Sequence, residues 1–205
     1  MAVGSARLES DILRLLGNLG QLPQPAAEPF FIAVSGLPGT GKSHLCREVV
    51  KILPALLIES DAVRKMLFNS PTYSFDESSY LFQLIHKLVE KLLTKGISVI
   101  LDATNLTERN REYLYDIADR LRVKLTLVKV TAPSALARQR LIKRQQDILN
   151  KSDADVAIYE KMLPTEEEIH RKHITVNTSR DISSAIEKIV YEALGRVKKQ
   201  EIKVR

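Results

Sequence analysis

The sequence predicts an α/β fold, a parallel sheet with helices packed on both faces. Three observations predict it. Short β-rich apolar runs alternate with longer helical patterns from residue 30 to residue 194, the order that builds parallel strands with helical crossovers. Most of those runs are almost wholly apolar, as strands covered on both faces must be. Between the first run and the next helical pattern, "SGLPGTGKSH" gathers Gly36, Gly39 and Gly41 around one proline. Glycines are gathered where backbone turns sharply or comes close to a ligand, and a core element gains nothing from them.

The elements follow in order. Leu8, Ile12, Leu15, Leu16 and Leu19 lie at helical spacing within 6–19, an amphipathic helix. "QLPQPAAEP" is too rich in proline for regular structure. Residues 1–28 are thus expected to be an accessory helix and linker, 29–196 the main domain, and 197–205 a basic tail. "FFIAV" (30–34) reads as the first strand, 42–52 as a helix, and "ALLI" (55–58) as the second strand. Helices at 61–69 and 77–95 follow, the latter with a stripe of Leu81, Leu84, Ile85, Leu88 and Leu92. Then come "ISVIL" (97–101), a helix at 107–121, "VKLTLVKV" (123–130), helices at 134–149 and 154–162, "ITV" (174–176) and a last helix at 182–194.

Composition bounds the function. The 205 residues, 44% hydrophobic and 27% charged, are the balance of a soluble globular domain with a substantial core. No apolar run approaches the ~20 residues that cross a bilayer, so no membrane partner is expected. Arg7, Glu9, Asp11 and Arg14 break up the N-terminal apolar positions, unlike a signal peptide. The single cysteine, Cys46, rules out an internal disulfide and suits a reducing compartment. A cytoplasmic protein is expected. The net charge of +6 is a general hint of phosphate-bearing partners.

Gly36 to Ser43 satisfies G-x-x-x-x-G-K-[ST] after a buried strand and at the opening of a helix, the setting of a P-loop. Gly36, Pro38, Gly39, Thr40 and Gly41 would turn backbone N–H groups around phosphate oxygens, and the helix N-terminus adds a favourable dipole. Lys42 would reach the β- and γ-phosphates and the Ser43 hydroxyl would ligate Mg²⁺. His44, next in line, is grouped with the nucleotide contacts, not with the catalysts. The fold expected is therefore that of a P-loop NTPase. No N-K-x-D guanine-reading sequence follows a later strand, so the expected nucleotide is ATP. Asp102 ends the third strand where a carboxylate would hold Mg²⁺ through water. Ala103 follows it, where many hydrolytic motors carry a glutamate, which disfavours a mechanical ATPase.

"ESDAVRKMLF" puts Asp61 and Arg64 three apart at a helix start, on one face. Two readings stand. Ser60 or Asp61 caps the helix and Arg64 is a surface ion-pair partner. Alternatively, at the carboxyl end of a parallel strand, Asp61 accepts the proton of an attacking hydroxyl and Arg64 orients the acceptor. Arg138, Arg140 and Arg144 on the helix from 134 are either a solvated basic face or a lid closing over phosphates. His170 and His173, three apart, lack a third ligand nearby in sequence, so zinc is not expected. Cys46 and His86 read as packing or surface residues, and none of His44, Cys46 and His86 reads as a catalyst. Tyr73, Tyr80 and Tyr159 are candidate acceptor contacts.

In order, "GLPGTGKS", "SDAVRKML", "ILDATNLTERNRE", "RLIKR", "SDADVAIYEKM" and "VNTSRDI" resemble the P-loop kinases related to phage-type polynucleotide kinase and the zeta toxins, grouped with small ATP-binding proteins labelled AAA-like. The resemblance spans about residues 30 to 194. Its discriminating parts are the D-x-x-R after the second strand and the D-A-T-N after the third. It implies five parallel strands in the order 2-3-1-4-5 and an arginine-bearing lid. It makes Asp61 the general base and Arg64 its acceptor-side partner. Asp102, with Thr104 and Asn105, would line the metal and acceptor side. Arg140 would lie by the adenine and Arg144 on the phosphates. The function so implied is an ATP-dependent kinase acting on a hydroxyl of a small molecule. A 5′-hydroxyl polynucleotide kinase is the alternative, disfavoured by 5% aromatic content and no tryptophan where stacking platforms are wanted. A nucleotide-dependent switch with slow hydrolysis is the third reading.

Overall fold

The computed structural model describes residues 2–145 and 155–195, with side chains from residue 6. The tail expected at 197–205, positions 146–149 of one expected helix and residue 154 of the next lie outside the described residues. Strands β1 (Phe30–Ser35), β2 (Leu56–Glu59), β3 (Val99–Asp102), β4 (Lys124–Thr131) and β5 (Ile174–Asn177) form one sheet ordered β2-β3-β1-β4-β5. Every neighbouring pair is parallel, the strand order and direction of a P-loop NTPase.

Each strand runs one residue beyond its apolar run, ending on Ser35, Glu59, Asp102, Thr131 or Asn177. Ladder hydrogen bonds are indifferent to side-chain polarity, so the sheet continues past the point where hydrophobicity stops. Those five polar ends lie along its carboxyl edge, where ligands bind in parallel α/β sheets.

Eight helices occur among the described residues: α1 (Ala2–Asn18), α2 (Lys42–Val50), α3 (Ser60–Leu67), α4 (Phe75–Thr94), α5 (Glu108–Leu121), α6 (Ser134–Gln145), α7 (Val156–Met162) and α8 (Ser183–Leu194). Three of their starts are set by capping side chains, among them Asp155, which accepts from the Ile158 N–H at the start of α7. Ser74 accepts from the Glu77 N–H and starts α4 two residues ahead of the expected position 77, and Thr107 accepts from the Asn110 N–H at the start of α5. No helix among the described residues is long and apolar enough to cross a membrane.

The side chains of β1 alternate between two cores. Phe31 and Ala33 join the stripe of α4 with Leu114, Ile117 and Ala118 of α5. Phe30, Ile32 and Val34 join Leu45 and Val49 of α2 with Ile189 and Val190 of α8. Leu84, Ile85, Leu88 and Leu92 are fully buried, and each cut to alanine would cost about 2–5 kcal/mol. Ile12 and Leu15 of α1 are equally buried in the first core, Tyr80 of α4 bonds Asp11 at 2.6 Å and Lys91 bonds Glu9. The leading helix is part of the body of the protein.

A third, smaller cluster of Leu37, Leu106, Ala137, Leu141 and Tyr159 seats α6 and α7 over the carboxyl edge. Arg111 of α5, fully buried, fastens that edge. Its guanidinium donates to the carbonyls of Asn105 (3.0 Å), Leu106 (2.7 Å), Glu167 (3.3 Å) and Glu168 (2.6 Å) and to the Glu108 carboxylate (2.8 Å).

Candidate active site

The glycine-rich loop leaves β1, the middle strand, and enters α2. Its shape is imposed by close approach as well as by turning. At Gly36 a Cβ would overlap the Val130 carbonyl oxygen, and at Gly39, with φ +76°, it would lie 2.6 Å from the Ala137 carbonyl oxygen. A larger residue at either place strains the backbone or pushes back β4 or α6.

The carbonyls of the loop are held by side chains. Leu37 O accepts from the Thr40 hydroxyl (2.7 Å) and from Lys42 Nζ (2.9 Å). Thr40 O accepts from the Thr178 hydroxyl at 2.6 Å, and Gly39 O from Arg140 at 3.4 Å. The first N–H groups of a helix have no intrahelical acceptor, and Gly41, Lys42 and Ser43 line a cavity of about 700 Å³ at that end of α2. The arrangement suits an anion.

Parallel register sets Asp102 of β3 between Val34 of β1 and Glu59 of β2. Asp102 is buried and borders the cavity. Burial raises its pKa, against the pull of the Lys42 ammonium and a hydrogen bond from Ser43. Burial likewise lowers the pKa of Lys42, and Asp102 and Asp61 push it back up. A hydroxyl and a carboxylate side by side are hard oxygen donors. They fit Mg²⁺, which takes one or two carboxylates and completes its octahedron with phosphate oxygens and water. No group of three or more His, Cys, Asp or Glu able to hold a metal occurs among the described residues, so a cation here would lean on nucleotide phosphates. The Cys46 thiol is pushed up by burial, as befits a packing residue.

Asp61 and Arg64 of α3 border the same cavity. The N-cap position of α3 is Glu59, with no side-chain capping bond of its own, so neither Ser60 nor Asp61 stands at the cap position. Arg64 is no surface residue: it is 6% exposed. Its guanidinium pairs with Glu77 and donates to the Ser78 hydroxyl at 3.3 Å, and lies 4.5 Å over the Tyr73 ring.

Glu77 and its role were not visible in the sequence. The pattern Ser74-x-x-Glu77 is the signal that could have found it, since in a capping box the glutamate turns back toward the cap. Here Glu77 reaches further and accepts from the Thr72 N–H (2.6 Å), the Thr72 hydroxyl (2.8 Å) and the Tyr73 N–H (3.3 Å). Tyr73 itself sits at φ 54°, a conformation that a non-glycine residue holds when its surroundings demand it.

Burial opposes ionisation of Glu77, but the Thr72 donors and Arg64 together bring its pKa down to about 2 from the ordinary 4.5. A carboxyl depressed in the folded state contributes stability that is present above pH 4.5 and is lost as pH falls through about 2. Glu77→Gln is therefore expected to flatten the acid limb of stability against pH in that window. Urea melts of both proteins from pH 6 down to about pH 2 check it.

The three arginines of α6 part company. Arg138 is at the surface, paired with Glu160 at 2.6 Å and 5.5 Å from the ring of the buried Tyr159. Arg140 reaches behind the loop, to Gly39 O and to the hydroxyl (2.7 Å) and carbonyl (2.9 Å) of Thr178, and is not among the residues lining the cavity. Arg144 lines it. Thr104 also borders the cavity, whereas Asn105 is fully buried with its Nδ2 on Val34 O. His44 is exposed beside Glu48 and does not line the cavity. The cavity thus brings together Pro38, Gly39, Gly41, Lys42, Ser43, Asp61, Arg64, Asp102 and Arg144.

Solved structures share this architecture. A gluconokinase from Sinorhizobium meliloti is 21% identical, with 81% of this chain and 90% of that one covered and a TM-score of 0.57. Chaetomium thermophilum Kti12, solved with ADP-AlF3, is 18% identical over 81% of this chain and all of that one, with a TM-score of 0.64. The Mycobacterium tuberculosis APS kinase, solved with AMPPNP and APS, is 17% identical over 82% and 98%, with a TM-score of 0.60. At these identities what is shared is the fold. The model of the family described as AAA domain matches residues 31–169, from β1 through the segment held by Arg111, and on that match the chain belongs to the AAA domain family.

Proposed function

We propose that this protein is an ATP-dependent kinase that transfers the γ-phosphoryl group to a hydroxyl of a small molecule. One observation carries the proposal: a single cavity is lined both by the phosphate loop and by Asp61, a carboxylate from the next strand–helix junction. Two of the three solved structures are kinases by name, which supports the reading, as does the sequence resemblance to polynucleotide kinases and zeta toxins.

The loop amides and Lys42 hold the nucleotide phosphates. Asp61 takes the proton of the acceptor hydroxyl as its oxygen bonds to the γ-phosphorus and the bond to the β-phosphate oxygen breaks, leaving ADP. Lys42 and Arg144 offset the negative charge spread over the transferring group. A Mg²⁺ held by Ser43 and Asp102 would neutralise the β- and γ-phosphates. Arg140, braced between Gly39 and Thr178, keeps the loop in shape from behind.

The test is incubation with γ-labelled ATP against sugars, nucleosides, aminoglycosides and 5′-hydroxyl oligonucleotides. Label on a small hydroxyl compound supports the proposal. Label on oligonucleotides alone replaces it with the polynucleotide reading, and slow ATP hydrolysis with no labelled acceptor replaces it with a switch. Arg144→Ala is expected to lower kcat roughly 10²-fold with little change in ATP affinity, because its contact strengthens as charge develops. Single-turnover rates beside nucleotide titrations check it, and an unchanged rate would return Arg144 to a solvated basic face.

A further inference from the structure

We infer that the acceptor is an uncharged, hydroxyl-rich molecule, and that the paired side chains of Arg64 and Glu77 exclude phosphorylated and carboxylated relatives of it. This rests on the kinase reading above and concerns the acceptor part of the same cavity.

Arg64 is the cation closest in sequence to Asp61 on the cavity wall, and an arginine there would ordinarily suggest an anionic acceptor. Its charge is already met. The side chains of Arg64 and Glu77 are 8% and 7% exposed and paired. Nη2 is on Ser78, Nε is shut off from solvent, and the Tyr73 ring covers a face of the guanidinium. Glu77 is fixed in turn by Thr72 and Tyr73, and with its pKa brought down to about 2 it is charged near neutral pH. Arg47, also on the wall, is paired with Glu59 at 2.7 Å.

Among the described residues of the wall, Lys42 and Arg144 serve the nucleotide phosphates in the proposed reaction, and Asp61 adds a negative charge. An anionic group on the acceptor would lose its hydration without a counter-charge and would face both Asp61 and the phosphates. The rest of the wall suits a neutral polyol. Ser78, Thr104, Thr107 and Asn110 offer hydroxyl and amide groups, and Tyr73 and Phe82 offer flat apolar faces, the mix that orients a small polar ligand.

The experiment uses matched acceptors that differ in charge and keep a free hydroxyl: glucose and glucose 6-phosphate, ribose and ribose 5-phosphate, glycerol and glycerate, adenosine and adenosine 3′-phosphate. With γ-labelled ATP and the full chain, kcat/KM for the neutral member of the labelled pair is expected to exceed that of its anionic partner by about tenfold or more. An anionic member that is the equal or better acceptor overturns the inference and leaves the kinase reading standing. ATP consumed with no label on any member removes the kinase reading and this one with it. In Glu77→Gln the charge of Arg64 is unmatched, and the anionic member is expected to gain about tenfold relative to the neutral one. An unmoved ratio in a variant that melts and binds ATP normally shows that the pair does not set selectivity, which also overturns the inference. Should that variant not fold, the matched ratio of the unmodified protein decides alone.

Discussion

Asp61→Asn is expected to keep ATP binding and lose phosphoryl transfer by about 10²- to 10⁴-fold. Asparagine matches aspartate in size, and the N-cap position of α3 is Glu59, not Asp61, so the start of the helix has little to lose. An amide cannot take the proton of the acceptor hydroxyl near neutral pH. The phosphates are held elsewhere, by Lys42 and the loop. Nucleotide binding and acceptor labelling measured side by side on the variant give the answer. Normal labelling removes Asp61 as base, and lost ATP binding moves it to the metal side with Asp102. Lys42→Ala is the contrasting control: it should lose both measurements together, because its ammonium lies within the field of Asp102 and Asp61 at the mouth of the loop.

Arg111→Ala is expected to destabilise the whole domain by about 3–5 kcal/mol, the usual result of deleting one side of a buried, hydrogen-bonded charge. Four backbone carbonyls and the Glu108 carboxylate lose their donor at once. In a chain of this size that is a fall in melting temperature of roughly 6–20 °C. Arg111→Lys should recover little, since an ammonium has three donors and cannot span the fork that reaches residues 105, 106, 167 and 168. Thermal melts of the three proteins check it. A loss under 1 kcal/mol would mean that backbone pairing such as Glu167 N–H to Leu106 O at 3.0 Å holds this edge unaided.

The same fastening has a kinetic side. Thr104 and Thr107 border the cavity and Arg111 grips Asn105 and Leu106 between them. Any fold that survives in Arg111→Lys should therefore show its defect in the KM for the acceptor more than in ATP affinity.

What the sequence by itself determined was local. The phosphate loop is eight consecutive residues whose glycines and lysine carry their meaning in order, and β1 and β3 are legible as apolar runs because they are buried on both faces. The stripe of α4 was legible for the same reason, as a period imposed by one buried side. The strand ends lie one residue past the apolar runs because hydrophobicity stops where the ligand edge begins, while the hydrogen-bonded ladder does not.

What the tertiary structure decided lies between segments far apart in the chain. Arg64 and Glu77 meet across 13 residues through a turn held at Tyr73. Arg140 and Thr178 meet across 38 residues behind the loop, and Arg111 reaches 56 and 57 residues ahead. Spacing along a helix puts Arg140 and Arg144, four apart, on one side, yet Arg140 reaches the back of the loop and Arg144 the cavity, while Arg138 pairs with a surface glutamate. Helical period fixes direction relative to the helix axis alone. Which neighbour waits there depends on how the helix is seated on the sheet, and that is set by the burial of Leu37, Leu106, Ala137, Leu141 and Tyr159 together, a property no single stretch of the chain contains.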